Sequence, residues 1–191
     1  MVHAKPAREL PCDIGLRLSV PVCEHGTGNS IVTLDSGELI DGVRLESFSL
    51  LPDDRGYFLE VFRSGQGLPA SFDTKTIQVS AAFSFPGTIK AFHYHRHQTD
   101  FWVAARGMLQ VALVDLRTAS NTFGRKNTLF VGELRPWQVL IPPGVAHGYK
   151  VIGSTPAMLV YVTNQFYSPA DEGRLPYDDP SIRYDWKTQR K

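Results

Sequence analysis

The chain has 191 residues, 42% hydrophobic and 20% charged, proportions that describe one folded domain and exclude a disordered chain. A net charge of +1 leaves no global field to draw nucleic acid or an anionic membrane, so any anionic ligand needs a local cluster of cations. Two cysteines, Cys12 and Cys23, are too few for a disulfide framework and lack zinc spacing. No apolar run has the length of a signal peptide core or a membrane span, so a cytoplasmic protein is expected.

Residues 1–38 carry Pro6, Pro11, Pro21 and several glycines with little periodicity. They read as an irregular N-terminal extension with one short strand near residues 15–20. From residue 39 the texture changes. Residues 43–51 alternate, with Val43, Leu45, Phe48 and Leu50 as core residues, and Pro52 to Gly56 form a turn by composition. Residues 57–62 are a strand of aromatic and β-branched residues, and 63–73 are loop. Strands follow at 76–84, 88–95, 101–105, 108–115, 127–133, 138–141, 148–152 and 157–163. Many short strands with turn signals between them, and no long helical period, predict an all-β antiparallel sandwich or barrel. The tail from Ser168 is polar and broken by prolines, yet it ends in Tyr184 and Trp186, which predicts that it packs back on the body.

Residues with chemistry concentrate between Gly87 and Gly107, where His93, His95, His97, Gln98 and Asp100 lie close together. His93 and His95 are two apart, so on a strand both leave the same face. Lys90 differs from His93 in parity, and only a local bulge would bring both into one pocket. His97 is expected at a solvent-exposed turn, and Phe101 and Trp102 as lining or interface. A Pro142-x-Gly144-x-x-His147 turn supplies a further histidine.

The spacing G-x5-H-x-H-x4-D-x6-G, followed by that second turn, resembles the two motifs of the cupin superfamily, a jelly roll or double-stranded β-helix. Asp100 stands where cupins usually carry Glu, Pro136 where Gly is usual, and Val151 where Asn is usual. A closer resemblance covers residues 39–186. Asp54 to Glu60, Gln78 to Ser80, Lys90 to Tyr94, Val114 to Arg117 with Thr122 to Gly124, Ile141 to Gly144 through Tyr149, Tyr161 with Tyr167 to Pro169, and Asp179-Pro180 with Asp185-Trp186 are similar, in order, to the dTDP-4-dehydrorhamnose 3,5-epimerase (RmlC-like) family.

That resemblance implies an RmlC-like cupin domain over 39–191, a homodimer, a nucleotide-sugar substrate, and epimerisation beside a ketone with no metal or other cofactor. It assigns His93 as base, Asp179 as the carboxylate that orients it and Tyr161 as acid, with Arg55, Glu60, Gln78, Lys90 and His147 binding substrate. The chain departs from the family at Lys90 (family Arg), Ser80 (Asn), His95 (Gln) and Asp100 (Lys). The last difference puts a carboxylate where an enolate would develop, and it leaves two other readings open. One is a metal-dependent cupin isomerase or dioxygenase, with a divalent transition metal on His93, His95, Asp100 and His147. The other is a nucleotide-sugar binding module whose catalysis is impaired.

Overall fold

A computed structural model describes residues 5–11 and 15–187. Among these the chain forms strands and no helix: β1 (Lys5–Glu9), β2 (Ser19–Val22), β3 (Asn29–Ser30), β4 (Arg44–Ser47), β5 (Leu51–Asp53), β6 (Gly56–Phe58), β7 (Gln78–Ser84), β8 (Ile89–His95), β9 (Asp100–Arg106), β10 (Met108–Asp115), β11 (Lys126–Gly132), β12 (Trp137–Ile141), β13 (Val145–Ile152), β14 (Ala157–Thr163) and β15 (Glu172–Arg174). They pair into a six-stranded sheet, β15-β8-β13-β10-β11-β3, and a five-stranded sheet, β4-β12-β9-β14-β7, with β1–β2 and β5–β6 as separate ribbons. This is the all-β cupin jelly roll expected from the sequence.

Period-two alternation decides which side chains fill the sandwich. On β10, Leu109, Val111 and Leu113 point inward, with Leu129 and Val131 of β11, to meet Trp102, Val139, Ile141 and Leu159 of the facing sheet. The alternate β10 residues, Ala112 and Val114, point outward but are also buried, under Phe92, Leu175, Ile182, Tyr184 and Trp186. The tail thus closes the outer face of the six-stranded sheet, as Tyr184 and Trp186 led us to expect. Covering both faces explains the nearly unbroken apolar run of β10. Each such side chain contributes about 1.5–3 kcal/mol relative to exposure.

The N-terminal stretch departs from expectation. It carries three short strands where one was expected: β1 pairs antiparallel with β2, and β3 adds in parallel to β11. The short expected strand is shifted, to Ser19–Val22. Lys126 ties this stretch to the tail. Its buried ammonium donates to the carbonyls of Glu24 (2.6 Å), Gly26 (2.9 Å) and Ile182 (3.1 Å), which satisfies a charge that would otherwise be costly to bury. Cys23 is buried as a free thiol, while Cys12 lies outside the described residues.

Candidate active site

A cavity of about 350 Å³ opens between the two sheets. The six-stranded sheet contributes Lys90, His93 and His95 from β8 and His147 from β13. The five-stranded sheet contributes Gln78 from β7, Asp100 and Trp102 from β9 and Tyr161 from β14. Seven of the expected catalytic, substrate-binding and metal-ligating residues therefore share one space: Gln78, Lys90, His93, His95, Asp100, His147 and Tyr161.

A bulge resolves the parity conflict on β8. His147 pairs with His93, yet Tyr149 pairs with Lys90, so β8 carries one more residue than β13 across the same span. The extra residue rotates Lys90 onto the face of His93. Gly148 permits it, because a Cβ there would lie 2.3 Å from the Ala91 Cβ and 2.7 Å from the Lys90 carbonyl oxygen.

His93 is half-buried, and its Nδ1–H donates to Glu172 Oε1 at 3.2 Å. An acceptor on Nδ1 leaves Nε2 as the basic nitrogen. Burial pushes the imidazole below its ordinary value, His147 and Arg174 push the same way, and Glu172 opposes them. The net lowering keeps His93 neutral near pH 7, the form a base requires. Burial would raise the Glu172 carboxyl, but the Arg174 hydrogen bond and the neighbouring His93 hold it below the usual carboxylate value.

The Asp100 carboxylate is 4% exposed and forms the polar floor of the cavity. Its Oδ1 accepts from Gln98 Nε2 at 2.7 Å, its Oδ2 from Trp102 Nε1 at 3.1 Å, and His147 Nε2 lies 3.4 Å from Oδ2. Burial alone would raise this carboxyl; the His147 hydrogen bond and charge, with His95 and Gln98, outweigh it and hold the pKa at about 2. The negative charge that the sequence placed awkwardly near an enolate is thus spent on donors inside the wall. Trp102 was legible as its partner, since residues 100 and 102 share one face of β9 by period two; Gln98 lies in the turn between β8 and β9, where no periodicity applies.

The four-residue metal set is not assembled. His95, Asp100 and His147 bring ligand atoms within 4.8 Å of one another, but both Asp100 oxygens already accept hydrogen bonds, and Gln98 Nε2 also lies 3.2 Å from His95 Nε2. His93, the fourth expected ligand, uses its Nδ1 on Glu172 and is not part of the group of mutually close ligand atoms formed by the other three. The buried His95 Nδ1, which has no hydrogen-bond partner, lies 3.6 Å from Asp171 Oδ2 and is the other nitrogen of that ring. As arranged, His95, Asp100 and His147 form a hydrogen-bonded network with Gln98 and Trp102, and three of the four expected ligands keep their ligand atoms close to one another.

Three expected site residues lie elsewhere. Asp179 accepts from the backbone N–H groups of Ser181 (2.9 Å) and Ile182 (3.2 Å) and from Arg8 (3.2 Å). It caps its own turn, and Glu172 holds the place expected for it beside His93. Arg55 is 83% exposed in its side chain and pairs with Asp53 on the β5–β6 hairpin. Glu60 pairs with Arg63 and borders a separate, smaller cavity. Glu172 and Arg174, which do border the main cavity, were hidden in a tail that reads only as polar.

Residues 38–191 match the profile of a family described as dTDP-4-dehydrorhamnose 3,5-epimerase. The spore coat polysaccharide biosynthesis protein SpsL of Bacillus subtilis is 44% identical over 153 residues, covering 79% of this chain and 99% of that protein. A dTDP-4-dehydrorhamnose 3,5-epimerase of Pseudomonas aeruginosa is 34% identical over 148 residues, 72% of this chain and 77% of that one. The crystal structure of a dTDP-6-deoxy-D-glucose-3,5-epimerase of Legionella pneumophila, in complex with dTDP-4-keto-L-rhamnose, superposes with a TM-score of 0.68 at 27% identity, covering 80% of this chain and 82% of that chain.

Proposed function

The chain belongs to the dTDP-4-dehydrorhamnose 3,5-epimerase family, and on that premise we propose how its cavity epimerises a nucleotide-linked 4-keto-6-deoxy sugar. The observation that carries the reading is that His93 and Tyr161 border one cavity from facing sheets. A C–H beside a ketone is weakly acidic, so its proton must be removed while the developing oxyanion is stabilised. His93 Nε2 takes the proton from one side of the sugar ring. The Tyr161 hydroxyl returns a proton from the other side, and the carbon inverts. The bond that breaks and the bond that re-forms are C–H bonds at the same carbon, His93 then gives its proton to solvent and Tyr161 regains one from it, so the balance closes without oxidant, reductant or other cofactor. Gln78, Lys90 and His147 bind the substrate, with Lys90 offering a cation to its phosphates.

In deuterium oxide the protein is expected to introduce deuterium next to the ketone of a 4-keto-6-deoxy nucleotide sugar, followed by mass spectrometry and proton NMR. Tight binding with no incorporation would overturn this reading in favour of the binding module.

A homodimer is part of the proposal, with the β5–β6 hairpin of one copy carrying Arg55 and Glu60 towards the cavity of the other. Support comes from exposed apolar side chains: Leu51 and Phe58 on the hairpin, and Val79, Phe83 and Phe85 along or beside the edge strand β7. Light scattering that gave the 21.3 kDa mass of one chain would count against it. We place the enzyme in the cytoplasm, without nucleic-acid or membrane partners. The net charge of +1 gives no global attraction for nucleic acid or an anionic membrane; no helix among the described residues is long and apolar enough to cross a membrane.

A further inference from the structure

We infer that Glu172, and not Asp179, is the positioning residue for His93, fixing the ring and the proton on Nδ1 so that Nε2 faces the sugar as a base. This rests on the epimerase reading for its consequence in catalysis, but the geometry stands independently. The two carboxylates differ in what remains free to act. Both Asp179 oxygens are taken, one by two backbone N–H groups and the other by Arg8, and the residue does not border the cavity. Glu172 borders the cavity and accepts from His93 Nδ1 at 3.2 Å.

The strand that carries Glu172 is held at both ends of its short pairing. β15 runs antiparallel to β8, with Glu172 opposite His95, Gly173 opposite Tyr94 and Arg174 opposite His93. Just before it, Asp171 accepts from the backbone N–H groups of Arg96 (3.2 Å), His97 (2.8 Å) and Gln98 (3.1 Å), anchoring β15 to the turn between β8 and β9. Gly173 lies so close to Tyr94 that a Cβ would come 2.0 Å from its ring. Only glycine allows β15 to approach this far, and the approach brings Glu172 within reach of His93. Arg174 Nε donates to the same Glu172 oxygen, fixing that carboxylate from the solvent side. Arg174, Glu172 and His93 thus form a chain in which a rigid acceptor selects one tautomer of the imidazole.

Nitrogen-15 NMR of the free protein, with no sugar present, reads the tautomer directly. Wild type is expected to show His93 protonated on Nδ1. Glu172→Leu removes the acceptor, so the Nδ1–H signal is lost to the other tautomer or to a mixture. Solvent exchange into the sugar then falls by roughly 10²-fold, the order of effect of losing the group that orients a functional histidine. Glu172→Gln keeps an oxygen acceptor and restores the Nδ1–H form and most of the exchange, a rescue that a merely structural role would not give. Glu172→Ala gives the same result as Leu if the larger side chain is not accommodated. Asp179→Asn leaves the tautomer unchanged. An Nδ1–H signal that survives both Glu172→Leu and Glu172→Ala, or one that Asp179→Asn abolishes, overturns the inference. Because the tautomer is read without substrate, failure here is distinguishable from a protein that performs no exchange at all.

Discussion

Tyr161→Phe is expected to retain deuterium exchange at the carbon beside the ketone while losing epimerised product by roughly 10²- to 10⁴-fold, the usual span for one general acid or base. His93→Ala is expected to lose both by a similar factor. The asymmetry follows from the two walls. His93 stands on β8 and Tyr161 on β14, in different sheets. Without the tyrosine hydroxyl, His93 still removes the proton, exchanges it with solvent and returns it to the same face. Deuterium then enters without inversion. Without His93 the carbanion never forms, and neither outcome is seen. The lowered His93 value adds a pH signature. A base works when unprotonated, so exchange rises with pH through a point below the ordinary imidazole range and is level at neutral pH. Mass spectrometry for deuterium and NMR for configuration separate the two quantities. A Tyr161→Phe variant that loses exchange as completely as product would mean that both proton transfers pass through the tyrosine.

The strands between residues 76 and 163 were legible because period-two alternation and turn residues act locally. The side-chain face of His93 and His95 followed from the same rule. What the sequence concealed depends on pairing between distant segments. Lys90 reaches the cavity only through a bulge whose cause, Gly148, lies on another strand. The tail offers Asp171, Glu172, Asp178 and Asp179 within nine residues, and nothing local says which returns to His93. That choice is made by the backbone clamp on Asp171 and the glycine contact with Tyr94. Arg55 and Glu60 show a different limit: neither borders the main cavity of its own chain, and the proposed substrate-binding role brings them to such a cavity only from a second copy. Of the N-terminal strands only β2 was read from the sequence, a few residues out of place; β1 and β3 were missed because they are short and are defined by pairing with β2 and β11, not by an apolar alternation of their own.

Asp100 is where family likeness and structure diverge most, and it leads to the second large effect. If the carboxylate merely stood in for a family lysine, Asp100→Lys would restore the parent arrangement. The structure argues the opposite. The Gln98 amide and the Trp102 indole both donate to Asp100, with His95 and His147 alongside. An ammonium there would remove the acceptor that these buried donors share and put a cation into surroundings arranged for a carboxylate. Breaking a buried charged network in this way costs about 3–5 kcal/mol, enough to unfold a marginally stable domain. Asp100→Asn keeps the shape and loses the charge, at a cost of about 2 kcal/mol, since charge-assisted hydrogen bonds become neutral ones. The wild type should show the same energy as a pH effect. A carboxyl held at about 2, against an ordinary 3.8, contributes stability that is fully present above the ordinary value and is lost as pH falls from about 4 to about 2. Urea unfolding at pH 7 and pH 3 is expected to show Asp100→Asn less stable than wild type at pH 7, with roughly half of that difference gone at pH 3. An Asp100→Lys protein as stable as wild type and faster in exchange would show instead that this one residue holds back the parent chemistry.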